Sequence, residues 1–211
     1  MTRANRKRKP QPEALPVPRP DWLVTALAVA GMLVAGYLTW LKLTGTGAAF
    51  CVAGSGCDIV QASRYALLLW VPTALWGFAL YLVIGALGLG GLSGRNWLIA
   101  FLIAAGGVGF SAYLTALSVF DLGAACVWCL ASAIIFMGLL VALLRRRPPA
   151  VGRKSPFLPA RLATYGGLTA VGTVIAGAFV FAAPSSAPAA YQSALARHLT
   201  ETKAVMYGAF W

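Results

Sequence analysis

The chain has 211 residues, 60% of them hydrophobic and 10% charged, and its mean hydropathy of +0.78 excludes a soluble domain of ordinary composition. Its 17 basic and 5 acidic residues give a net charge of +12, but the charges flank apolar runs instead of forming one basic face, which argues against nucleic-acid binding. Four cysteines and one histidine leave little room for heme, histidine-rich or large metal-cluster chemistry, so the cysteines come first.

Residues 1–21 carry Arg3, Arg6, Lys7, Arg8, Lys9 and Arg19 among several prolines and are expected to form a disordered basic arm. Uncharged stretches then run over Trp22–Leu41, Tyr65–Gly94, Asn96–Phe120, Leu122–Leu144 and Leu162–Phe181, each at or above the roughly 20 residues that a spanning helix needs. The fold class is therefore an all-α membrane protein with five transmembrane helices. The first run is too long for a signal-peptide core and has no clear small-residue cleavage site after it, so it should remain in the mature protein. Between the first and second runs, Asp58–Tyr65 has the apolar period of a short interfacial helix ahead of Pro72. Gly85, Gly88, Ala105, Gly106, Gly107 and Gly109 lie inside the runs, where small residues let helices approach closely in lipid. Trp22, Trp40 and Trp97 lie near span ends and read as interface anchors.

Alternating the sides of the membrane puts thirteen basic residues, in the arm, at Arg95 and between Arg145 and Arg161, on one side and four on the other. The positive-inside rule then places the N-terminus in the cytoplasm and residues beyond the fifth run outside. All four cysteines fall on the external face: Cys51 and Cys57 in the first loop, Cys126 and Cys129 where the fourth run becomes helical. That is the oxidising side, the periplasm in a bacterium, where disulfides persist.

Cys126-Val-Trp-Cys129 is a C-x-x-C at a helix start, where free backbone N–H groups and the helix dipole stabilise a thiolate. Positions i and i+3 share a helix face, so the two sulfurs can bridge each other. Cys51 and Cys57 stand on a Gly-containing loop able to carry a sulfur across to that pair, which suits a disulfide relay. Two inert structural disulfides are a second reading and a four-thiolate zinc site a third, although structural zinc favours a spacing of 2–4 residues in both halves.

Cys57-Asp58, Ser63, Tyr65, Pro72, Gly77, Tyr113-Leu114, Phe120, Cys126-x-Trp128-Cys129 and Ala131-Ser132-Ala133 together resemble the vitamin K epoxide reductase family in its bacterial form, over about Trp22 to Leu144. The resemblance implies a four-helix catalytic bundle around a quinone (22–147), ubiquinone or menaquinone, in the bacterial inner membrane. It implies that Cys51 and Cys57 are a shuttle pair, that Cys126 exchanges with the shuttle, and that Cys129 stands beside the quinone. Ser63 would line the quinone, with Asp58 and, more weakly, Phe110 as further cofactor-site candidates, although Phe110 reads better as a packing aromatic. Trp70 departs from the pattern, since bacterial members commonly have Gly two residues before the proline, at the bend that leads into the second helix.

Residues 148–183 then form a connection and a fifth helix, and residues 184–211 an external linker. Val205–Trp211 resembles the strand that leads into a thioredoxin-like Trp-Cys-x-x-Cys, so the tail reads as the start of a truncated thioredoxin-like domain. The expected partner is an external thioredoxin-like dithiol protein, with membrane lipid and quinone as the other contacts. The expected function is a membrane thiol oxidoreductase that passes electrons from that protein to a quinone and supports disulfide bond formation. The disulfide bond protein B type of quinone reductase carries its C-x-x-C in the first external loop, the reverse of the order here. A non-catalytic bundle, a scaffold or small transporter with structural disulfides, is the alternative, yet no charge inside a span marks a transport path.

Overall fold

A computed structural model describes residues 20–45, 56–150, 155–182 and 197–198, apart from the side chain of Asp58. The expectations for residues 1–19, for Cys51 and for most of the tail lie outside the described residues. The elements are α1 (Trp22–Thr44), α2 (Gly56–Ala62), a 3-10 turn (Arg64–Ala66), β1 (Leu67–Leu68), β2 (Val71–Pro72), α3 (Thr73–Leu89), α4 (Gly94–Phe120), α5 (Val127–Arg145) and α6 (Pro159–Ala182). Four of the helices, α1, α4, α5 and α6, are long and apolar enough to cross a membrane, and α3 is a shorter apolar helix. At 17 residues, α3 is about 25 Å long, near the lower limit for a span. Leu33, Ile134 and Phe179 are exposed on the outer surface, as a lipid-facing bundle requires.

The second run differs most from its expected extent of Tyr65–Gly94. Its first eight residues form the 3-10 turn and a two-stranded antiparallel hairpin that pairs Leu67 with Pro72 and Leu68 with Val71. Pro72 explains the delay, because it cannot continue a helix and pushes the preceding residue to an extended conformation. The two-residue loop places Leu69 at φ 54 and Trp70 at φ 67, the primed turn that normally selects Asn-Gly. Trp70 thus takes a left-handed conformation that costs a non-glycine residue about 1–2 kcal/mol. The fourth run is also shortened, since Gly123 at φ 60 closes the α4–α5 turn and α5 starts at Val127.

Asp21, read as part of the arm, belongs to the bundle. It caps α1 by accepting from the Val24 N–H at 3.2 Å, donates its own N–H to Gly88 at the end of α3 and pairs with Arg146 after α5 at 2.5 Å. Through its carboxylate and its backbone N–H, one residue thereby ties together three helices at the arginine-rich end, where α1 packs against both α3 and α5.

The core lies between α1, α3, α4 and α5. Fully buried Tyr81 stacks on Phe136 with centroids 4.3 Å apart and reaches Ser132 Oγ and O at 2.9 Å. Its ring lies where a Cβ of Gly31 would stand, so the glycine lets α3 close against α1. Trp97 is no interface anchor: it is fully buried, stacks on Phe101 and donates its indole N–H to Leu143 O at 2.9 Å. That carbonyl, in the last turn of α5, also accepts from the Arg146 N–H at 3.1 Å, and its second lone pair satisfies the buried indole donor. Trp22 and Trp40 are 70% and 66% exposed, in keeping with anchoring.

Candidate active site

The C-x-x-C pair sits at the start of α5. Cys126 is the N-cap and its Sγ accepts from the Cys129 N–H at 3.3 Å, so the sulfur occupies the place of a capping oxygen. Cys126 is buried and Cys129 half-buried, both as free thiols. The Cys126 thiol is lowered to about 7 from its ordinary value near 9. A hydrogen bond from the Cys129 side chain is the largest cause, helped by the backbone N–H groups of Cys129 and Trp128 and opposed by burial. The thiolate therefore forms as pH rises through about 7 and is lost below it. The ultraviolet thiolate absorbance of the reduced protein is expected to rise with that midpoint, and Cys126→Ser should remove the transition; a midpoint near 9 in the unaltered protein would show the cap to be inactive.

Cys57 lies in α2, buried and disulfide-bonded. Its neighbour Gly56 meets the backbone of Ala125, the residue before Cys126, so closely that a Cβ there would run into the Ala125 carbonyl. A bare glycine backbone thus brings the segment bearing Cys57 against the segment bearing Cys126. The Lys42 ammonium at the end of α1 donates to Gln61 O at 2.5 Å and ties the other end of α2 to the bundle. Tyr65 fixes the following turn: buried, it donates to Asp121 Oδ2 at 2.6 Å and meets Phe181 of α6 edge-on.

Below this end of the bundle lies a cavity of about 750 Å³, in the upper part of the range for small-molecule sites. Cys129, Ser132 and Phe136, at i, i+3 and i+7, turn one face of α5 into it, and α1, α3, α4 and α6 supply the other walls. Cys126 does not line it, so the pair has one sulfur beside the α2 segment and one on the cavity.

Phe110 lines the cavity and packs against Gly177 of α6. Ser63 is not on the wall, and its hydroxyl donates to Val60 O at 2.7 Å. Gln61 is there instead: at i+4 from Cys57 it shares a helical face with the cysteine, a signal that the spacing contained. Thr73, Ser118 and Thr173 also line the wall, but their hydroxyls donate to the carbonyls of Tyr65, Thr115 and Ala170. The Gln61 carboxamide and the Ser111 hydroxyl, also on the wall, are available as donors for a ligand oxygen. A long apolar chamber with a few polar groups has the lining that a quinone would need.

Residues 22–144 match the vitamin K epoxide reductase family. A curated relative, thiol-disulfide oxidoreductase LTO1 of Arabidopsis thaliana, is 34% identical over 203 residues, covering 85% of this chain and 54% of the relative. The chain therefore spans about half the length of the curated relative it matches. With a family match over residues 22–144 and a curated relative 34% identical, this chain belongs to the vitamin K epoxide reductase family.

Proposed function

We propose that this chain is a membrane thiol oxidoreductase that carries electrons from an external thioredoxin-like dithiol protein, through Cys51/Cys57 and then Cys126/Cys129, to a quinone in the cavity. The observation that carries this reading is the divided C-x-x-C: the backbone at Ala125, next to Cys126, abuts the start of α2, while Cys129 opens onto a large apolar chamber. The asymmetric basic residues support an orientation with the cysteines on the external, oxidising side.

In this scheme the partner first reduces the Cys51–Cys57 disulfide and is itself oxidised. The Cys51 thiolate then attacks Cys126 Sγ of an oxidised Cys126–Cys129 pair, forming a Cys51–Cys126 bond and releasing Cys129 as thiolate into the cavity. Cys57 next attacks Cys51, restores the shuttle disulfide and expels Cys126, whose low pKa makes it a good leaving group. The disulfide-bonded Cys57 beside free Cys126 and Cys129 corresponds to the state reached at that point. A bound quinone supplies the acceptor for the two electrons and two protons that return the pair to its disulfide. Gln61 donates to the acceptor's oxygen, and the apolar walls keep water from the exposed thiol.

The test is to trap the relay. In Cys57→Ser the resolving thiol is gone, so a Cys51–Cys126 bridge should accumulate under turnover with dithiol and quinone, visible by peptide mapping. Finding Cys51 free and only Cys126–Cys129 bridged would reject this order of exchange.

A further inference from the structure

The cavity is much longer than a quinone head group. Along α4 its lining residues run from Leu102 to Ser118, about 24 Å at the helical rise and most of the roughly 30 Å hydrocarbon thickness. Cys129 and Gln61 are at one end, so a ring placed against them leaves the greater part of the chamber open.

One wall of that remainder comes from α6, a helix outside the region matched to the family. Thr169, Gly172, Thr173, Ala176 and Val180 line the chamber at helical spacing. On its α4 side the helix is tightly seated: a Cβ on Gly177 would stand 2.9 Å from Phe110, one on Gly166 would stand 3.1 Å from Phe101, and Thr173 Oγ1 donates to Gly106 O at 3.1 Å. On its cavity side it stands free, with nothing within 4 Å of a Cβ on Gly172. Although α3 and α6 both line the chamber, they barely touch each other, which leaves a long apolar side between them.

We infer that α6 and α4 form a tail compartment for the prenyl chain of the quinone, and that Gly172 sets which tails fit. This rests on the quinone reading above. The ring lies at Cys129, and the chain runs down the α4–α6 wall toward the arginine-rich end. The missing side chain at Gly172 supplies width on that wall, since nothing stands within 4 Å of where its Cβ would be.

The test uses the full chain in lipid nanodiscs with dithiothreitol as reductant. Two acceptors share one ring, carrying either a methyl group or a tetraprenyl tail, and the pair is run with both benzoquinone and naphthoquinone rings. Gly172→Leu should raise KM for the prenylated acceptor about tenfold, the scale on which a hydrophobic pocket discriminates by a few carbons, and leave the methyl acceptor within about twofold. Gly172→Ala should shift it less and in the same direction, which keeps the test valid if leucine impairs folding. Gly167→Leu is the control: it too has open space but does not line the chamber, and neither KM should move. Equal changes for both acceptors, or none, would overturn the tail compartment and leave that space to lipid. A wild-type protein that reduces no quinone of either ring would overturn the quinone reading itself, and the compartment with it.

Discussion

Cys129→Ser is expected to lower quinone reduction by about a thousandfold or more, the scale on which removing a covalent participant registers, while the bundle remains folded. The expectation follows from the division of the pair. Cys129 alone of the two sulfurs lines the cavity, and among the described residues no other thiol stands there to deliver electrons. A hydroxyl is close in size to a thiol and would disturb the packing around half-buried Cys129 little. A second effect separates loss of chemistry from loss of structure. The hydrogen bond from the Cys129 side chain is the largest influence holding Cys126 down, and a serine hydroxyl is a donor too, so Cys126 should stay near 7 in Cys129→Ser and move up in Cys129→Ala. Quinone reduction at wild-type rates in either variant would remove Cys129 from the terminal step.

The long helices were legible because their cause is crude: an uncharged stretch in lipid has to satisfy its own backbone, and only a helix does so. The ends were less legible. Pro72 and Gly123 mark where chain geometry interrupts apolar sequence, and neither changes the hydropathy that defined the runs. Trp97 differs from its expected place because position near a span end is a statement about depth, whereas its burial rests on stacking against Phe101 and a hydrogen bond to a carbonyl on another helix, Leu143 O. At the site, the C-x-x-C and its placement at a helix start were readable from spacing alone. The polar wall residue was not found by the family pattern, which points to Ser63, but the period of α2 relates Gln61 to Cys57. The cavity itself is formed where five helices stand apart, and no local pattern encodes such a gap.

Gly56→Ala carries the second large expectation: transfer from the shuttle pair to Cys126 should slow by about a hundredfold, the cost that a displacement of about an ångström can impose on reacting groups. Alanine would ordinarily favour a helical position over glycine by about 0.5–1 kcal/mol, so α2 should be at least as helical as before. Its position is what changes. The new Cβ would meet the Ala125 carbonyl, and a backbone atom has no rotamer with which to move aside, so α2 must lift from the segment that ends in Cys126. Cys57 rides on the same helix and moves with it. Single-turnover exchange, started by reducing the shuttle disulfide and quenched by acid, reads this step directly, and quinone binding at Cys129 gives the internal reference. Slow exchange with unchanged quinone binding would locate the defect at the α2–Ala125 contact, because a general loss of folding would lower both. Exchange within about threefold of wild type would show that the two segments meet by loop motion, with the seated geometry of α2 irrelevant to the transfer.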